Sequence, residues 1–177
     1  MTFSTRRSLE QHQLEELRSL LQRITPGNKF YQERLRASGL DASVASIEEF
    51  RQRMPLTTKA ELVEDQLENP PYGSNLTFPL ESYTRLHQTS GTSGRHLRWL
   101  DTAESWSWMV GGWQRVFEGA GVGAADRVFI AFSFGPFLGF WLAFDAATRL
   151  GCLTIPGGGL GSLTRLEVIL ANEITVL

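Results

Sequence analysis

The chain has 177 residues, 42% of them hydrophobic and 20% charged, and carries a net charge of −2 at neutral pH. That length holds one domain with a real core, and without a basic stripe there is no electrostatic footprint of a nucleic-acid binder. The single Cys152 excludes an internal disulfide and a zinc-ligand pattern, and its apolar surroundings suit a small buried hydrophobe better than a nucleophile.

No secretory signal opens the chain. Thr5-Arg6-Arg7 leads straight into a charged amphipathic helix, which points to a cytoplasmic protein. Ser8-x-x-Gln11 predicts a capping box for this first helix, Leu9, Leu14, Leu17, Leu20, Leu21 and Ile24 form its apolar stripe, and Pro26-Gly27 stops it. A second helix is expected from Asn28 to Ser38 with Gly39 as its C-terminal cap, and a short third one from Ser46 to near Pro55. Thr58-x-x-Glu61 is a further capping box, which gives Thr57-Thr58-Lys59 a structural role as a helix start. Asn69-Pro70-Pro71-Tyr72-Gly73 is a connector, and Asn75-Leu76-Thr77 is a sequon with no glycosylating compartment. Residues 1–80 thus form a helical region, and residues 81–177 an α/β region.

From Ser82 to Gln88 the pattern alternates, with Tyr83, Arg85 and His87 on one side and Thr84 and Leu86 on the other. It alternates again from His96 to Asp101, so two strands flank the run Thr89-Ser90-Gly91-Thr92-Ser93-Gly94-Arg95. Glycines let another group approach the backbone closely, and successive N–H groups aimed into one concavity bind anions. Hydroxyls add donors, and Arg95 adds a charge that fits phosphate oxygens. The segment is a candidate cradle for nucleotide phosphates. It is not a Walker loop, since no lysine follows Gly94 and a strand follows in place of a helix. A hairpin turn that binds nothing is the alternative.

Asp101 or Thr102 caps the next helix, where Trp106, Met109, Val110, Trp113, Val116 and Phe117 recur at core spacing and Gly119 to Gly123 ends the element. Short apolar strands follow at about 128–132, 153–155 and 174–177, separated by helices at about 137–150 and 162–171. This β-α-β-α-β order implies parallel pairing, with ligands beyond the carboxyl ends of the strands. Ser133-Phe134-Gly135 and Pro156-Gly157-Gly158-Gly159 fall there, the second cluster reading as simple turn glycines. Val128 to Phe144 is uncharged over 17 residues, but Gly135-Pro136 interrupts it, so a strand and a helix are expected in place of a membrane span.

The run His87-Gln88-Thr89-Ser90-Gly91-Thr92-Ser93-Gly94 resembles the phosphate-binding motif of adenylate-forming enzymes, the acyl-CoA synthetase superfamily. The phenylacetate–CoA ligase branch is the closer match, through Pro55-Leu56-Thr57-Thr58-Lys59, Phe132-Ser133-Phe134-Gly135 and Leu150-Gly151-Cys152-Leu153-Thr154-Ile155-Pro156. The resemblance implies the N-terminal portion of a longer protein, an incomplete adenylation domain with a hairpin phosphate loop and a partial doubly wound sheet. It implies a ligase that joins a carboxylic acid to AMP from ATP with Mg²⁺ and passes the acyl group to coenzyme A. It places Thr89, Ser90, Gly91, Thr92, Ser93, Gly94 and Arg95 on the ATP phosphates, makes Phe132, Ser133, Phe134 and Gly135 a wall of the acid pocket, and puts the catalytic residues beyond Leu177. Two positions depart from the family pattern: His96 stands where proline is usual, and Arg95 where lysine is commoner. The aromatic residues between Phe132 and Phe144 suit an aryl acid and core packing equally. Without its remaining chemistry the chain is expected to be catalytically incomplete, and an unfinished sheet edge favours homo-oligomers. A non-catalytic nucleotide-binding module and an interaction domain are the alternatives.

Overall fold

The computed structural model describes residues 4–91 and 94–177, and the chain divides at Ser82/Tyr83 into two units. The first unit holds α1 (Arg6–Ile24), α2 (Lys29–Ser38), α3 (Ile47–Arg53) and α4 (Lys59–Glu68). Leu21, Leu35, Leu40 and Val44 form its core, with Leu14, Leu17, Ile24, Phe50 and Met54 packed around them. Leu20, counted in the apolar stripe, is exposed. It sits one residue, and so about 100°, from Leu21 around the helix, outside the face that the i, i+3, i+4 set buries.

The capping box of α1 lies one turn earlier than expected: Thr5 is the cap and Ser8 its third helical residue, each side chain serving the other's backbone N–H. A serine fills the reciprocal position as well as Glu or Gln does here, and Gln11 instead donates to Glu15. The caps at Ser46 and at Thr58 with Glu61 agree with expectation, Asn28 is the cap of α2 rather than its first residue, and Gly39 takes the left-handed conformation at φ 61°. Asn28 is buried; its amide donates to Asn75 Oδ1 at 2.9 Å and Thr77 Oγ1 at 3.2 Å, so both polar residues of the sequon work in local structure.

The second unit begins with an antiparallel hairpin of β1 (Tyr83–Gln88) and β2 (Arg98–Thr102). It continues through α5 (Ala103–Gly119), β3 (Arg127–Ile130), α6 (Leu138–Arg149), β4 (Leu153–Pro156) and α7 (Ser162–Ala171). Thr102 is the cap of α5. β3 and β4 pair in parallel in the register Arg127↔Leu153 to Ile130↔Pro156. Three expected strands are shorter than their sequence patterns. β2 starts at Arg98, because His96 and Leu97 already serve the loop; β3 stops at Ile130; and residues 174–177 make one parallel bridge, Val128↔Val176. Trp106, Val110, Leu142 and Ala146 join α5 to α6, and Val128, Ile130, Ala147 and Cys152 form the layer beside them. Val116 belongs to neither and is exposed. Cys152 is the buried hydrophobe expected: its thiol donates to Gly123 O at 3.2 Å, and burial pushes its pKa up. Among the described residues no helix is long and apolar enough to cross a membrane.

Candidate phosphate loop and its neighbours

The hairpin is built so that its loop must bulge. The ladder ends at Gln88↔Arg98, and one more rung is closed by Thr89 N–H to Leu97 O and Leu97 N–H to Thr89 Oγ1, both 3.0 Å. Beyond that rung Gly91 and Gly94 take φ of 73° and 88°, conformations that L side chains rarely adopt, and Gly94 N–H donates to Gly91 O at 2.8 Å. Thr92 and Ser93, the middle of the candidate cradle, lie outside the described residues. Ser90, Gly94 and Arg95 are exposed. The Thr89 oxygen accepts from Leu97, which leaves its hydroxyl proton as the group with which it can meet a ligand.

His96 has a definite place. Its Nδ1 lies 2.6 Å from Thr89 O, so that nitrogen carries the proton and donates. The ring packs where a side chain at position 91 would start, 2.7 Å from the Cβ that Gly91 lacks. Histidine therefore braces the loop exit by contact, where a proline would do so by fixing φ.

Under the loop a polar cluster connects both strands to the helices behind them. Arg85 and His87 project from β1 onto Trp106: the guanidinium carbon is 4.2 Å from the ring centroid, and the imidazole stacks at 5.0 Å and 12°. Arg85 pairs with Asp145 of α6 at 2.9 Å, and the Trp106 indole donates to the same oxygen at 2.7 Å. Asp101 Oδ1 accepts from Ser105 Oγ at 2.9 Å, while its Oδ2 faces His87 Nδ1 at 3.7 Å. Burial holds the His87 pKa below the ordinary imidazole value; the carboxylate of Asp101 opposes that and the charge of Arg85 adds to it. Sequence reasoning placed Arg85 and His87 on one face, but it assigned no role to Asp101 beyond capping and none to Asp145. The available signal was an inward Arg/His pair on a half-buried strand, which demands buried acceptors.

The second candidate segment follows β3. Phe132 is 54% exposed and stacks on Phe140 at 4.4 Å, and Ser133 is exposed. Phe134 turns into the core against Trp141 and Phe144, and Gly135 O accepts from the Trp141 indole at 2.9 Å. Of the four, Phe132 and Ser133 are thus on the surface, and the other two anchor the segment. The glycines after β4 do more than turn the chain. Gly157 N–H donates to Ile130 O at 2.8 Å, and a Cβ on Gly158 would stand 3.0 Å from Phe132 O. The segment also meets the hairpin, through Gln88 N–H to Pro136 O at 2.8 Å. Among the described residues no group of three or more His, Cys, Asp or Glu comes together to hold a metal ion.

No family model matches the sequence. The chain is 32% identical over 155 residues to a phenylacetate–coenzyme A ligase of Pseudomonas putida, a match that takes in 86% of this chain and 34% of that protein. It superposes on crystal structures of 2-hydroxyisobutyryl-CoA ligase. One, in the postadenylation state in complex with 2-HIB-AMP, has TM-score 0.86 and 26% identity, with 96% of this chain and 36% of that chain covered. Another, in complex with 2-HIB-AMP and CoA in the thioesterification state, has TM-score 0.85 and 25% identity, with 95% and 35% covered. The chain therefore spans about a third of the length of the relatives it matches.

Proposed function

We propose that this chain, a phenylacetate–CoA ligase-like member of the adenylate-forming superfamily, carries the ATP-phosphate loop of an AMP-forming acid–CoA ligase. The observation that supports it is the loop itself: two glycines at positive φ on a closed hairpin, with a serine and an arginine exposed beside them. Backbone N–H groups, the hydroxyls of Thr89, Ser90, Thr92 and Ser93, and Arg95 meet the polyphosphate of Mg-ATP and neutralise charge that shifts onto the departing pyrophosphate. The acid's carboxylate attacks the α-phosphorus, so the first step needs no protein nucleophile. The second step transfers the acyl group from AMP to the thiol of coenzyme A. Phe132 and Ser133, exposed on the segment whose Pro136 O accepts from the Gln88 backbone N–H, form part of the acid's pocket. Because the chain spans a third of its relatives, the two-step reaction is assigned to a protein of the relatives' length, and phosphate binding to this chain.

Calorimetry with Mg-ATP tests the second assignment. Binding is expected, with a loss of at least about tenfold in the folded Gly91→Val, Arg95→Ala variant, since the valine displaces His96 and the alanine removes the charge. Unchanged affinity in that variant overturns it. Acid-dependent ATP–pyrophosphate exchange in the longer protein tests the first; nucleotide binding without exchange would make the chain a sensing module.

A further inference from the structure

The pair His87 and Asp101 has no use in the reaction just described, yet both side chains are almost completely buried, at 5% and 4% exposure. His87 lies opposite Trp99 in the ladder, and Asp101 is two residues further along β2, so they are diagonal neighbours on one sheet face. Asp101 faces Arg85 directly across the strands, but Arg85 turns to Asp145 instead. This leaves Asp101 Oδ2 and His87 Nδ1 aimed at each other at 3.7 Å, and neither has another hydrogen-bond partner. Leaving two such atoms unmatched in a buried place is unfavourable, and a small approach satisfies both when Nδ1 carries the proton. The Trp106 ring stacked on the imidazole holds its plane.

We propose that His87 is a positioning residue for the phosphate loop, held by Asp101 as its Nδ1–H tautomer against Trp106, so that β1 and β2 are locked in register two residues before Thr89. The proposal rests on the loop's role as the nucleotide site for its effect on binding, but the tautomer does not depend on it. The charged groups around the imidazole are Asp101 on β2, Arg85 on β1 and, through Arg85, Asp145 on α6. Asp101 favours a proton on the ring, whereas Arg85 and burial disfavour a second one.

Long-range ¹H–¹⁵N spectra of the unliganded full chain are expected to show neutral His87 as a single Nδ1–H tautomer. An Nε2–H tautomer, or exchange between the two with ordinary titration, overturns the proposal whatever the nucleotide does. Asparagine places its amide N–H near the Nδ1 position, and glutamine near Nε2. Mg-ATP affinity is therefore expected to stay within about twofold in His87→Asn and to fall about tenfold in His87→Gln, with both folded by circular dichroism. Equal effects of the two substitutions overturn the positioning role. If the unsubstituted chain binds no Mg-ATP while the tautomer is as expected, the assignment of the loop fails and the buried pair stands.

Discussion

Arg85 and Asp145, 60 residues apart in sequence, meet at 2.9 Å and tie the loop-bearing hairpin to α6. The same carboxylate oxygen takes the indole N–H of Trp106. Asp145→Ala leaves that indole unsatisfied and frees the guanidinium. Its expected cost is about 2 kcal/mol, most of it from the indole, because an ion pair this exposed is weak. Asp145→Asn keeps an acceptor and is expected to cost less than half as much. Urea unfolding of the three proteins measures this, and equal midpoints for alanine and wild type would contradict it.

The glycines after β4 separate two physical demands. A methyl group at Gly157 meets the Phe129 ring and stands 2.9 Å from Ile130 O, so Gly157→Ala is expected to cost about 1–3 kcal/mol by overpacking. Gly159 has open space around it but φ of 78°, so Gly159→Ala is expected to cost about 1 kcal/mol through backbone strain alone. A d-alanine placed at 159 by semisynthesis should recover that loss, whereas at 157 it should not.

Acid stability is expected to depend on Glu61. Its pKa is lowered to about 2, first by the hydrogen bond from Arg34 and then by the Thr58 amide and hydroxyl. A carboxyl lowered in the folded state contributes stability that is complete above the ordinary value near 4.5. That contribution is lost as pH falls through about 2. Glu61→Gln should flatten the acid limb of a stability–pH curve between those values, while a carbon-13 titration of wild type should find the carboxyl still ionised at pH 3.

On α7, Leu163, Leu166 and Leu170 are all exposed, as is Leu153 on β4. The three on α7 recur at i, i+3 and i+7 and so share one face of the helix, and exposed apolar surface of this kind drives association. The chain on its own is expected to elute from size-exclusion columns ahead of a 19.8 kDa monomer. Leu163→Lys with Leu170→Lys should return it toward the monomer position. A clean monomer of the unsubstituted chain at high concentration would count against this.

Elements with a local cause were legible in the sequence. Asn28, Ser46 and Thr58 cap helices because their short oxygens reach an amide three residues on, and Gly39 ends α2 because only glycine adopts φ of 61° at no cost. The hairpin and its inward face of Tyr83, Arg85 and His87 followed from alternation. What long-range contacts decide was not legible. Val116 repeats at core spacing, but α5 has too narrow a buried face to include it. The run at 174–177 is apolar enough for a strand, yet makes one bridge, Val128↔Val176, with the Thr175 and Val176 amides both donating to Arg127 O. Gly157 and Gly158 look like turn residues until Phe129 and Phe132 are found against them. Asp145 reads as the polar end of an apolar segment, and only the fold brings Arg85 to it.

The Gln88 amide donates to Pro136 O, and it is the last residue of β1 before the loop. A slide of that strand cannot leave Pro136 behind without breaking the bond, so the loop and the segment that runs from Phe132 to Pro136 share a mechanical tether. With the two segments in the roles proposed above, whatever draws the hairpin toward a polyphosphate would also tug Phe132 and Ser133, and the shape offered to the acid would report on whether the nucleotide is in place.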